Sequence, residues 1–373
     1  MIRLGPEDRV LVRAPSWLGD FLMAEPFLRA LFESRAEGAR DPADLRISLA
    51  GPARFLELFE DRFPGVRRIP LTTATEVGPA IEPEVWKGHD VAIFLDGSTR
   101  SVWRAIRAGI PRRVGWARGG RRWLLTDAVS PARELGRVPL GLGRAGRFPR
   151  YLPRPFASVC HELASLLGVQ LYDVRPRIEV AELQRAAVRA RMERLGANPD
   201  APYLVVNVGA RAGSAKAYPP ESWAQVLAAL AASGDVSGSD LLFLTGGPGE
   251  EERVEQVAAS VSKDLGARVR AVDPPPRLGE LAAWCAGARL TLTADGGVRH
   301  VAAAVGSPRV VLFGPTDPRH TAEVWPDEQH VRVEVDCGPC HRERCPLNGP
   351  NAHRCMTELD PQNVVQAVSA ALS

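Results

Sequence analysis

The sequence predicts an α/β protein built from two Rossmann-like domains, each a doubly wound parallel sheet, and three observations carry that expectation. With 373 residues, 45% of them hydrophobic, the chain is long enough to bury two cores. Short apolar runs alternate with stretches of helical periodicity in both halves, as when parallel strands are joined by crossover helices. Several runs end in glycine-bearing loops, where such sheets bind their ligands.

The elements follow in order. Val10 to Ala14 is a β-rich run broken at Pro15, and after Gly19 the periodicity turns helical through Phe21, Leu22, Pro26, Leu28 and Leu31. Leu45 to Ala50 and Val91 to Leu95 repeat the strand signal. Gly136 to Pro155 is rich in Gly, Pro and Arg and reads as a long surface loop. Ala157 to Leu167 is helical in pattern. Leu171 to Glu179 contains Pro176 and precedes a charged helix from Leu183 to Leu195, which puts a domain boundary near residue 180. Beyond it come Tyr203 to Val208, a helix from Pro220, Leu241 to Thr245, a helix from Glu250, Val269 to Val272 and a helix from Leu278. Leu290 to Thr293, a short helix from Gly297 to Val305, and Val310 to Phe313 complete the alternation. Residues 1–180 and 181–360 are thus the two domains, with a last helix, Pro361 to Leu372, available to pack back across them. Ligand is expected at the carboxyl ends of the strands, in the cleft between the domains.

The formal charge is only +3, so bulk electrostatics point to no polyanion. The distribution is uneven: Ser101 to Arg150 holds twelve arginines against Asp127 and Glu134. Such a face suits a phosphorylated glycolipid or an anionic membrane surface, and equally a solvated face in an arginine-rich chain. Few aromatics accompany it and no DNA-binding spacing appears, which excludes nucleic acid. No apolar run reaches the ~20 residues of a membrane span, and the start lacks signal-peptide features, so a cytoplasmic protein is expected.

Three strand-end turns carry the candidate chemistry. Ser16-Trp17-Leu18-Gly19-Asp20 follows the first strand; Asp20 is placed to act as a general base or, more plainly, to cap the next helix. Asn207 to Pro219 holds Gly209, Ser214 and Lys216, where backbone N–H groups and one ammonium suit a diphosphate. Thr293 to His300 groups Asp295, Gly296, Gly297 and His300: Asp295 as an acceptor for sugar hydroxyls or a cap, His300 as a site or structural histidine. Gly246, Gly247 and Glu250 form a further loop, its glycines admitting a nucleotide and Glu250 or Glu251 reaching a ribose, unless those glutamates are only a helix first turn. No strand is followed by a dinucleotide fingerprint, and the P-loop spacing and Asp-x-Asp are missing, so a leaving diphosphate would rely on Lys216 and backbone amides.

Taken in order, Pro15 to Asp20, Ala108 to Gly115 with Leu124 to Thr126, Gly213 to Lys216, Asp295 to His300 and Phe313 to Thr316 resemble the ADP-heptose:lipopolysaccharide heptosyltransferases, particularly the heptosyltransferase II branch. The resemblance covers nearly the whole chain. It implies a GT-B fold and inverting, metal-independent transfer from ADP-heptose to a phosphorylated lipid A–Kdo core, at the cytoplasmic side of the inner membrane. Asp20 matches the family's base, Lys216 its diphosphate-binding lysine and Asp295 its heptose contact. The acceptor side falls to Ser16, Trp17, Arg112, Arg113, Arg121 and Arg122, and the donor side to the second domain. The chain departs from the family at Ala217 and Tyr218, where Arg-Trp is usual, and at Ala294, Gly296 and Arg299, which changes the polar groups at the donor site. Two other readings remain: a transferase using another nucleotide-sugar, or a catalytically weak nucleotide-binding interaction protein.

Cys337, Cys340, Cys345 and Cys355 have the thiolate number, and one of the spacings, of a structural zinc site, or are reduced thiols of a Pro/Gly-rich loop. No cofactor is expected for catalysis itself.

Overall fold

The computed structural model describes residues 4–36, 45–59, 62–71, 83–117, 119–130, 133–134, 150–151, 156–210, 214–234, 236, 240–261, 265, 268–321, 325 and 327–373. Among the described residues the chain forms two compact units, one running to Ile178 and the other from Glu179 onward.

The first unit is built on six parallel strands: β1 (Val10–Arg13), β2 (Ile47–Pro52), β3 (Arg67–Leu71), β4 (Val91–Phe94), β5 (Arg112–Trp116) and β6 (Asp127–Val129), in the order β3-β2-β1-β4-β5-β6. Val10 lies opposite both Ile47 and Val91, so β1 is flanked on each side and buried throughout. Strand order reverses between β1 and β4, which makes the carboxyl end of β1 a topological switch point. Helices α1 (Leu18–Met23), α2 (Glu25–Ala36), α3 (Ala53–Leu56), α4 (Thr99–Arg107) and α5 (Phe156–Leu167) cover the sheet. Leu11, Trp86, Phe94, Val102 and Ile110 share one core cluster, and elsewhere Phe21 packs against Phe55 and Phe59. A two-stranded antiparallel ribbon pairs β7 (Arg133–Glu134) with β8 (Arg150–Tyr151). Arg150 and Tyr151 are thus strand where a surface loop is expected, and the rest of the stretch from Gly136 to Pro155 lies outside the described residues.

The second unit repeats the topology with β9 (Tyr203–Asn207), β10 (Leu241–Thr245), β11 (Val269–Ala271), β12 (Leu290–Ala294), β13 (Arg309–Phe313) and β14 (Glu328–Arg332), in the order β11-β10-β9-β12-β13-β14. Its helices are α6 (Glu182–Arg194), α7 (Pro220–Ala232), α8 (Glu251–Ser260), α9 (Leu278–Gly287), α10 (Gly297–Ala304), α11 (Arg354–Thr357) and α12 (Pro361–Leu372). Two core clusters pack on the sheet, one around Trp223, Leu204 and Leu292, the other around Trp284, Phe243 and Met192. Val364 and Val368 of α12 belong to the first of these, so the last helix is part of the second unit's core.

Four strands of the two main sheets do not announce themselves in the sequence, nor does the β7–β8 ribbon. β3 carries Arg67, Arg68 and Pro70, tolerated because it lies at the sheet edge, and β14 is the opposite edge of the second sheet. β5 and β6 are short and partly exposed, with Arg112, Arg113 and Asp127 diluting the apolar signal. Among the described residues no helix is long and apolar enough to cross a membrane.

Candidate functional site

In the first unit the chain leaves β1 at Arg13 and turns into α1, with Ser16 and Trp17 exposed and Asp20 half-buried in the first helical turn. The N-cap is Trp17, which makes no side-chain capping bond, so Asp20 is the third residue of the helix and not its cap. Burial, with the Asp20 charge adding to it, pushes the Cys160 thiol well up. The turn is braced from below. Arg13 Nη2 donates to Ser16 Oγ at 2.9 Å, and Arg13 Nε lies 3.6 Å from Asp96 Oδ2 at the end of β4. Ser101 Oγ donates to the same carboxylate at 2.6 Å, and Arg121 Nη1 donates to the Asp96 carbonyl at 2.6 Å. Burial raises the Asp96 carboxyl, and Arg13 works against that shift.

The predicted basic face is therefore divided. Arg121 is fully buried, with Gly115 supplying its space: a Cβ there would come 3.0 Å from Arg121 Nη2. Arg113 donates to the carbonyls of Ile110, Pro111 and Leu124 at 2.8–3.0 Å, and Arg112 stands 3.9 Å from Asp8. Arg113 and Arg121 are internal braces that position β5 and the following turn. Arg122 is exposed, beside Trp123, which is 90% exposed.

In the second unit the carboxyl ends of β9, β10, β12 and β13 bring the remaining candidates together. Lys216 Nζ donates to Asp295 Oδ2 at 2.9 Å, and Thr316 Oγ1 donates to the same oxygen at 2.6 Å. Arg299 Nη1 donates to Asp295 Oδ1 at 2.9 Å, and its Nε reaches Glu328 at 2.8 Å. Glu328 also accepts from Arg309 Nε at 2.9 Å and lies 2.7 Å from His330 Nε2. Burial would raise the Asp295 carboxyl, but the charges of Lys216 and Arg299 and the Thr316 hydroxyl overcome it and hold the group well below the usual range. The same contest takes Glu328 down to about 2. Lys216 keeps 35% of its side chain exposed, so a buried carboxylate steadies a cation that still faces solvent. Gly296 is the cap of α10 and Asp295 precedes it, its carboxylate committed to these partners.

His300 is buried, next to Trp325 at 6.2 Å, with Nδ1 unpartnered; burial and Arg299 lower it to about 3, so it stays neutral. The Gly246 to Glu250 loop closes on itself. Glu250 Oε2 accepts the Gly247 N–H at 2.7 Å and lies against Gly209, where a Cβ would overlap it and stand 2.8 Å from Gly246 Cα. Gly209 is therefore a close-approach glycine, with Gly246 equally tight against Val254. Ser214 Oγ accepts the Lys216 N–H at 3.2 Å, while Gly297 opens α10. Tyr218 is buried against Trp223 and donates to the Leu359 carbonyl at 3.0 Å, so this departure from the family pattern is spent in the core.

Sequence reasoning missed Arg13 and Asp96, although an aspartate ending an apolar strand was a usable signal. It also missed Arg253, whose Nε donates to the Val208 carbonyl at 2.8 Å and whose Nη2 donates to the Tyr218 carbonyl, clasping both ends of the lysine loop. The four tail cysteines line one small cavity. Among the described residues, however, no three His, Cys, Asp or Glu side chains already stand grouped to hold a metal ion.

Residues 151–350 match the profile of glycosyltransferase family 9 (heptosyltransferase). The chain is 26% identical over 371 residues to lipopolysaccharide heptosyltransferase 2 of Escherichia coli strain K12, covering 98% of both. Its fold is similar to the structure of E. coli ADP-heptose LPS heptosyltransferase II, with a TM-score of 0.68 at 23% identity and 98% of each chain covered. It is also similar to E. coli heptosyltransferase WaaC with ADP-2-deoxy-2-fluoro heptose, with a TM-score of 0.64 at 20% identity, covering 97% and 99%.

Proposed function

This chain belongs to glycosyltransferase family 9, the heptosyltransferases of lipopolysaccharide core assembly, and from that premise we propose that it moves heptose from ADP-L-glycero-D-manno-heptose to a phosphorylated lipid A–Kdo core precursor. Transfer inverts the anomeric centre. Asp20 takes the proton of the acceptor hydroxyl as that oxygen attacks the anomeric carbon, and the bond to ADP breaks on the opposite face. Lys216 and the amides of its loop receive the charge that develops on the departing diphosphate, without a catalytic metal. Asp295 receives hydrogen bonds from the heptose hydroxyls, and the Gly246 to Glu250 loop takes the ribose.

The observation that carries this reading is the Lys216–Asp295 pair, braced by Thr316 and Arg299 at the carboxyl ends of the second sheet. A carboxylate kept ionised and a half-exposed ammonium held beside it suit a sugar diphosphate, which needs an acceptor for hydroxyls next to a donor for phosphate oxygens. Exposed Trp17, Trp123 and Arg122 support contact with an anionic glycolipid, and with it a cytoplasmic enzyme that works at the inner-membrane surface.

Calorimetry with ADP-heptose against UDP-, GDP- and dTDP-sugars tests the donor. ADP-heptose should bind most tightly. Preference for another nucleotide would replace the substrate, and no binding of any would favour an interaction protein.

A further inference from the structure

Cys337, Cys340, Cys345 and Cys355 are spread over nineteen residues, yet their side chains line one cavity together with Ala215 and Pro315. All four are free thiols. Left-handed backbone at His341 (φ 54°) and His353 (φ 58°) turns the chain sharply after Cys340 and just before α11, which bends the separate thiols toward a common centre. Cys345 Sγ accepts the His353 backbone N–H at 3.3 Å, which ties this thiol to the start of α11. Four cysteine sulfurs at one cavity are the donor set of a tetrahedral site.

We propose that Cys337, Cys340, Cys345 and Cys355 form a tetrathiolate site for a soft divalent cation, with zinc the occupant their chemistry favours. The sulfurs ring the cavity without meeting in it, so binding draws them inward. Four S–H bonds break, four metal–sulfur bonds form, and the protons pass to solvent with no change of oxidation state. The product carries two negative charges, and Arg354 at the cavity wall faces them.

The site acts as a staple. The Glu343 carbonyl, between Cys340 and Cys345, accepts the Ala215 N–H at 2.8 Å, and Ala215 is the neighbour of Lys216. His341 N–H donates to the Pro315 carbonyl at 2.8 Å, one residue from Thr316. Closing the thiols on a cation fixes the segment that holds both loops. The consequence for donor affinity rests on Lys216, and on Asp295 braced by Thr316, serving the donor as proposed above; the metal site itself does not.

The test is metal analysis of the full-length chain, purified with zinc present, with release followed by a chromogenic chelator as a mercurial modifies the thiols. About one zinc per chain is expected, and replacement by Co²⁺ should give the intense thiolate charge-transfer and tetrahedral d–d bands of a four-sulfur site. Cys345→Ser should lose the metal or bind it at least tenfold more weakly, and the wild-type release needs no variant to fold. No bound zinc and no cobalt bands would overturn the proposal, as would disulfides among these cysteines in the native chain. Alkylation protection by cobalt of only two or three of the four would overturn the ligand set. Stripping the metal should weaken ADP binding several-fold; unchanged binding would overturn the staple. A donor preference for another nucleotide would leave the metal count as it is, so the two readings fail separately.

Discussion

Replacing Lys216 by alanine isolates the charge assigned to the donor diphosphate. Its ammonium uses one donor on Asp295 at 2.9 Å, which leaves two for phosphate oxygens. A charge-assisted hydrogen bond contributes ~1.5–3 kcal/mol, and each ~1.4 kcal/mol is tenfold in affinity. ADP should therefore bind roughly ten- to a hundredfold more weakly. Field effects act in the same direction. Lys216, Arg299 and Arg309 face Asp295 and Glu328, so removing one cation turns a net positive patch into a neutral one. The fold should survive, because Asp295 keeps Arg299 at 2.9 Å and Thr316 at 2.6 Å, and a partly exposed pair contributes only ~0.2–1 kcal/mol. Calorimetry with ADP, run beside thermal unfolding, separates the two effects. A variant that binds ADP within a factor of about two of wild type would refute the reasoning, and Lys216→Arg should retain part of the affinity.

Arg299→Met should destabilise the second unit by ~3 kcal/mol, the low end for opening a buried pair from one side, because Glu328 retains Arg309 and His330; guanidinium unfolding followed by tryptophan fluorescence reads the loss, and an unchanged midpoint would remove Arg299 from the cluster's support. Gly209→Ala forces a methyl against Glu250 Oε2 and Gly246 Cα, so a cost of ~1–3 kcal/mol and weaker donor binding are expected, whereas a neutral outcome in both assays would mean that the loop yields freely. Glu328 has a folded pKa lowered from 4.5 to about 2, so its contribution to stability is complete above 4.5 and is lost as pH falls toward 2. Thermal midpoints should drop across that interval, and Glu328→Gln should flatten the drop; a variant with the same acid profile as wild type would contradict the assignment.

Apolar strands were legible because burial on both faces leaves mostly apolar and β-branched residues in β1, β4, β9 and β12. β3, β5, β6 and β14 were not, since exposed faces and sheet edges admit arginine, proline and glutamate. Strand-end turns were equally readable: glycine, aspartate and lysine after an apolar run located the Lys216 and Asp295 loops. Local sequence could not show that Asp295 is gripped by Arg299, Thr316 and Lys216 at once, because those partners lie as far as 79 residues away. Arg113 and Arg121 mislead for the same reason. A run of arginines reads as a positive face until the carbonyls of Ile110, Leu124 and Asp96 are found to absorb them.

The central claim is heptosyl transfer with Asp20 as the base, and single-turnover transfer by Asp20→Asn tests it most directly. With ADP-heptose and a Kdo-terminated lipid A acceptor, wild type should form the heptosylated product while the variant loses roughly 10²–10⁴-fold in rate, the usual scale for a general base. ADP affinity should be unchanged. Transfer by Asp20→Asn at a rate close to wild type would contradict the account, as would a wild-type chain that binds ADP-heptose and never moves the sugar.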